Sequence, residues 1–236
     1  QLNVGPLVQP TTLAQYNARS VPLPPKLFSH NDQQSIWQSD LPEGATSGWG
    51  GRIGDLMLAG NGGSVFSCIS VTGNAVFLSG QQAVQYQLSN NGAVAVNGIK
   101  RALYGSATAQ AALRSLITPT RAHLFEDEYT RVTRRSIDAE AQVSSALAAL
   151  PALATSFDSA NPLANQLKMV ARIIAARGTL GPRRQVFMVS LGGFDLHDLL
   201  PDRHPGLLGN VAGAIKSFHD ATVELGVADQ VTAFTA

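Results

Sequence analysis

An α/β fold with a mainly parallel sheet flanked by helices is the architecture this sequence predicts, and three observations carry the prediction. The run QVFMV at 185–189 reads as a buried strand that stops at Ser190, Leu191, Gly192 and Gly193. A helix begun by Pro205 and ended by Gly226 follows it, and residues 230–235 read as the next strand. Strand, helix of about twenty residues and strand is the pattern of a right-handed parallel crossover. From Thr108 to that first strand the chain is almost entirely helical in its periodicity. One domain accommodates all of this, since 236 residues suffice for a single sizeable core.

In chain order, residues 1–4 read as a strand end closed by Gly5 and Pro6. Thr11 or Thr12 caps a short helix running to Arg19. VPLPP at 21–25 is an extended connector, because each proline disfavours helix at the residue before it. Ser29 then takes an N-cap position with Asp32 in the first turn behind it. Residues 47–60 form a glycine-rich helix whose apolar face is Trp49, Ile53, Leu56 and Met57, and GNGG at 60–63 ends it. Strands are expected at 65–71, 75–78 and 84–88, the last alternating Val84, Tyr86 and Leu88 with Gln85 and Gln87. Turn residues between them make 64–118 a small antiparallel excursion.

A short helix at 109–116 ends at Thr118 and Pro119. The next is long, with Phe125, Tyr129, Val132, Ser136, Ala139, Val143, Ala146 and Leu150 on one stripe and Asp127 paired to Arg131 on its surface. Pro162 and Gly178 frame another, striped by Leu163, Leu167, Val170 and Ile174. The last helix carries Leu208, Val211, Ala212, Ile215 and Leu225.

A net charge of +1 gives no electrostatic case for nucleic acid or an anionic membrane, and the nine arginines from Arg114 to Arg184 are scattered. No run reaches the length of a membrane-spanning helix. The single cysteine, Cys68, rules out an intrachain disulfide and a cysteine-based zinc site. GNGG lacks the lysine and hydroxyl of a phosphate-binding loop, and no GxSxG elbow is present. The chain opens on Gln1 and stops at VTAFTA, so both ends read as cut from a longer protein.

Chemistry concentrates just beyond 185–189, where Asp195, His197 and Asp198 fall within four positions. Ligands in open α/β sheets bind outside the carboxyl ends of strands, and a carboxylate with an imidazole there can hold a divalent cation. The plainer reading, an Asp capping the next turn with a surface His, is favoured by spacing alone. Ser29 and His30 form the second group: a hydroxyl at a helix N-terminus suits attack on an anionic ester. Capping alone is the plainer account of that serine and the one its setting favours. His204 reads as a helix-entrance residue before Pro205; His123 and His219 read as structural or solvated. GWGGR at 48–52 suits either a ligand-hugging backbone or close helix packing.

The segments LFSHNDQQSIWQ, GWGGR, NQLKMVARIIAAR, QVFMVSLGGFDLHD and ATVELGVADQVTAFTA together resemble the bacterial domain-of-unknown-function 1501 family. FSH and GGFD-x-H are the most specific of them, and 64–118 is not diagnostic. The resemblance implies an alkaline-phosphatase-like fold and a metal-dependent hydrolase of phosphate or sulfate esters, exported by the twin-arginine route to a periplasmic or extracellular location. Its alternative is a non-catalytic envelope or binding protein that keeps the fold. By resemblance Asp195 and His197 are metal ligands and Ser29, with His30, stands where the nucleophile does. The metal implied is zinc, calcium or manganese in the full-length protein. Further ligand segments, Gly-Gly-Asn-Asp before Gln1 and Ser-Asp-Phe-Gly-Arg and Asp-His-Gly after Ala236, are implied outside this chain, which alone would hold no metal.

Overall fold

The computed structural model describes residues 9–235, so the strand expected at 1–4 lies outside them. Among the described residues the chain forms eight α-helices: α1 (Leu13–Ala18), α2 (His30–Ser39), α3 (Trp49–Met57), α4 (Ala107–Ile117), α5 (Leu124–Ala148), α6 (Pro162–Ala175), α7 (Arg177–Leu180) and α8 (Leu200–Glu224). Three short strands, β1 (Cys68–Ser70), β2 (Gln85–Gln87) and β3 (Val186–Met188), form one sheet in the order β2-β1-β3. Every pairing is parallel, with Ile69 opposite Tyr86 on one side and Phe187 on the other.

The α/β class is therefore present, and the expected antiparallel excursion is not. Residues 71–84 supply the long crossover that parallel neighbours need, and the strand expected at 75–78 is a 3-10 turn, Val76–Leu78, within it. Antiparallel pairing among the described residues is confined to two isolated bridges, Ser89 with Gly92 and Leu103 with Ser106. Nor does 230–235 add a strand beside β3. A 3-10 turn occupies Ala228–Gln230, and Thr235 is a single bridge residue.

The sheet separates two cores because successive side chains on a strand point to opposite faces. Cys68, Val186 and Met188 join Ala75, Phe77, Leu78 and Ala83 on one face, with Trp37, Trp49 and Phe234 around them. Ile69, Tyr86 and Phe187 join the larger core on the other, built from α5, α6 and α8. In α6, Asn161 caps Leu163 and Ala164, Pro162 opens the first turn, and Leu163, Leu167, Val170 and Ile174 are all buried as the stripe requires. The helix ends before Gly178, which lies inside α7; the residue with left-handed backbone is Gly181.

Three helices depart from the sequence reading in instructive ways. On α3 the buried face is Gly50, Gly51 and Gly54, while Leu56 is 86 % exposed. A Cβ at Gly50 would sit 2.5 Å from the Phe77 ring, and one at Gly54 would overlap the Cys68 sulfur, so this helix packs through hydrogen atoms. Burial pushes the Cys68 thiol up to about 11, with the Asp55 charge adding to it. On α8 the helix starts at Leu200 with Pro201 in its first turn, so Pro205 lies inside it. Its buried stripe is Ala214, Phe218, Ala221 and Thr222; Leu208 is half-exposed and Ala212 exposed. On α5, Arg131 pairs with Glu128, while Asp127 accepts from the Arg121 backbone N–H at 3.0 Å. The stripe of α5 is buried from Ala139 to Ala146, but Phe125 and Tyr129 are exposed.

Three carboxylates tie loops to helices and share one consequence. The Ser29 hydroxyl, the Glu43 backbone N–H and Lys26 hold Asp32 below the usual carboxylate range. Burial alone would raise Asp55, but the N–H groups of Ala83, Gln81 and Gln82 together outweigh it and lower it. The Thr155 hydroxyl, then the Ala154 and Thr155 N–H groups, lower Glu224. Folded values below unfolded ones mean that the stabilisation is complete above the unfolded carboxylate range of about 4 and is lost as pH falls through the folded values. Urea midpoints should therefore be flat above about pH 5 and drop steeply below about pH 4. Glu224→Gln should make that drop shallower, and an unchanged slope would contradict the assignment.

Candidate functional site

The carboxyl ends of β1 and β3 are joined just past the sheet. Thr72 and Ser190 share a hydroxyl–hydroxyl hydrogen bond there. Gln166, nearly buried on the apolar face of α6, donates its side-chain amide to the Ser190 carbonyl at 2.8 Å and accepts the Ser190 N–H at 2.9 Å. That side chain imitates a neighbouring strand and fixes where the chain leaves β3. Sequence reasoning passed over Gln166, although a lone amide on an otherwise apolar helical stripe is the signal that marks it.

Beyond Ser190 the chain is irregular to Leu199. Gly193 takes a left-handed backbone with φ of 95° and lies against Leu207 of α8, while the Phe194 ring meets His204 edge-on at 6.1 Å. His204 is thus inside α8 and packed on this loop. The turn delivers Asp195 and His197 to the surface side by side: His197 Nε2 and Asp195 Oδ2 are 3.1 Å apart.

The second group arrives from the other end of the chain. His30 is the first residue of α2, and its Nδ1 lies 3.8 Å from the same Asp195 oxygen. One carboxylate oxygen therefore faces two imidazoles, one from its own loop and one from a helix start far off in sequence. All three side chains are open to solvent, at 69 % for His30, 60 % for Asp195 and 83 % for His197. Asp198 makes no ion pair or hydrogen bond among the described residues.

Ser29 does the work of a cap. Its Oγ accepts the Asp32 N–H at 3.4 Å and its hydroxyl supports the Asp32 carboxylate, which is itself buried. No hydrogen bond joins Ser29 to Asp195 or His197 among the described residues. Between its two readings, GWGGR belongs to packing: Gly48, Gly50 and Gly51 all lie against the 76–80 segment.

Chemically, two imidazoles on one carboxylate can exchange a proton, hold an imidazolium, or present nitrogen and oxygen donors of the kind zinc and manganese accept. As placed, they do not form a finished site. Among the described residues no group of three His, Cys, Asp or Glu side chains is arranged to hold an ion. No described helix is long and apolar enough to cross a membrane. Comparison with family models, with curated proteins and with solved structures found no match.

Proposed function

We propose that this chain is part of an exported, alkaline-phosphatase-like, metal-dependent hydrolase of phosphate or sulfate esters, of the domain-of-unknown-function 1501 type. One observation carries the reading: the two segments that most resemble that family, FSH and GFDLHD, converge through His30 and Asp195 at 3.8 Å. They do so beside the carboxyl ends of β1 and β3, where α/β enzymes place their ligands. A divalent metal, when bound, would stabilise the anionic ester oxygen.

The residues of this chain have definable parts in that chemistry. Asp195 and His197 would supply an oxygen and a nitrogen ligand, with the 3.1 Å contact between them setting the ring's orientation. His30, open to solvent beside the same Asp195 oxygen, is placed to hold or move a proton. Ser29 at the start of α2 lies where the helix N-terminus favours an anion, and its hydroxyl is the nucleophile in this reading. Because two or three ligands make at most a weak site, the reading requires further ligands from sequence flanking residues 1–236.

Its rival, a non-catalytic binding protein of the same fold, draws support from the exposure of all three side chains, since catalytic sites are concave and bury most of their ligand. Calorimetric titration with Zn²⁺, Mn²⁺ and Ca²⁺, together with turnover of an aryl phosphate and an aryl sulfate, separates the two. With flanking sequence restored, tight metal binding that vanishes in Asp195→Ala with His197→Ala is expected, and residues 1–236 alone should bind weakly and be silent. Turnover should fall by at least about 100-fold in Ser29→Ala if its hydroxyl is the nucleophile. Absence of metal binding by the longer protein would leave the binding-protein reading standing.

A further inference from the structure

At the opposite end of the sheet from His30 and Asp195, a cleft of about 610 Å³ opens between α5 and the loops that lead into β1 and β3. Its volume suits a small molecule. Arg131, Arg134 and Arg135 line it against a single carboxylate, Asp138. That carboxylate is already engaged by Arg114 at 3.9 Å. Three guanidinium groups against one acid that already has a partner make this cleft cationic, in a chain whose net charge is only +1.

The donors are not equally committed. Arg134 is spent on the Thr118 carbonyl and Arg131 pairs with Glu128 at the surface. Arg135, Gln142 and Val65 are among the residues that line the cleft, and the Arg135 guanidinium, the Gln142 amide and the Val65 backbone N–H have no hydrogen-bond or ion-pair partner among the described residues. The floor is rigid, because buried Asn61 clasps the Arg183 and Arg184 N–H groups and the Arg184 carbonyl. Guanidinium forks, side-chain amides and backbone N–H groups are the donors a tetrahedral oxyanion accepts, and this cleft's lining residues carry all three without partners.

We infer that this cleft binds the phosphate or sulfate group of a small molecule, with Arg135 as the principal contact and Gln142 and the Val65 N–H completing it. The site is separate from the one at His30 and Asp195, and it stands or falls without the hydrolase reading. Calorimetry with inorganic phosphate and with inorganic sulfate, each against chloride at matched ionic strength, tests it. One-to-one saturable binding of either ion is expected, and the tighter of the two identifies the group preferred. Arg135→Gln should weaken it at least about tenfold, the loss of one charge-assisted contact, and adding Arg131→Gln should weaken it further. Arg203→Gln, on α8 and outside the cleft, should leave it unchanged. No saturable binding of either ion, an affinity indifferent to Arg135→Gln, or equal weakening by Arg203→Gln would overturn the inference. Unaltered binding in Asp195→Ala with His197→Ala separates this result from any failure at the other site.

Discussion

Gly51→Ala is expected to be among the most damaging single substitutions in the chain, removing about 3 kcal/mol of stability and lowering Tm by roughly 10 °C. A methyl group there would overlap the Ser79 carbonyl and the Gly80 nitrogen, and both are backbone, so no side chain can swing aside. The approach is mutual, since a Cβ on Gly80 would meet the Gly51 carbonyl oxygen at 2.7 Å and the Asp55 carboxylate. The three N–H bonds that Asp55 receives from 81–83 depend on the same closeness. Gly178→Ala supplies the control: that glycine is helical, has no left-handed φ and faces open space, so the change should be neutral or stabilise by about 0.5 kcal/mol. Thermal unfolding of the two variants measures the contrast, and equal Tm values would refute the close-packing account.

Asn61→Ala should cost a similar amount, about 3 kcal/mol, by a different route. The Asn61 amide donates to Ser67 Oγ at 2.9 Å and to the Arg184 carbonyl at 2.8 Å, and its oxygen accepts the N–H groups of Arg183 and Arg184 at 2.9 and 3.1 Å. One side chain therefore joins the end of the GNGG turn to the strand entrance at β3. Truncation strands three backbone groups in a place water reaches poorly and leaves the Ser67 hydroxyl only its bond to the Ser64 carbonyl. Asn61→Asp keeps the shape but turns a donor into a charged acceptor facing a carbonyl, so it should be no better tolerated. Urea denaturation of both variants checks this, and a loss below about 1 kcal/mol in either would show that the clasp is dispensable.

Much of the architecture was legible where a local rule acts alone. Thr12 and Ser29 cap the helices expected of them, and the stripe on α6 is buried residue for residue. Failures fall where tertiary contact overrides a local pattern. The fully buried positions of α3 are glycines, so a search for apolar residues found the half-buried Trp49, Ile53 and Met57 and, with them, the exposed Leu56. Strand direction at β1 and β2 follows from the crossover at 71–84, which short strands and turn residues do not announce. Pro205 resembles a helix start, but Pro201 and the left-handed Leu199 begin the helix earlier. Within the candidate site, Asp195 with His197 is visible as spacing; the approach of His30 is a long-range fact, and Gln166 hides on a stripe that otherwise reads as core.

Both tryptophans of the chain stand in one place, with consequences for how its unfolding can be watched. Trp37 and Trp49 are 5.8 Å apart, and each contacts Phe77 and Phe234 on the α3 side of the sheet. Indole emission therefore reports on that side alone. The opposite side offers a weaker fluorophore, Tyr86, packed edge-on against Phe66 at 5.2 Å. A denaturation curve recorded by tryptophan would register separation of α2 and α3 and stay blind to α6 and α8. Superposition of that curve on one from far-ultraviolet circular dichroism is what would establish that the two sides melt as a unit.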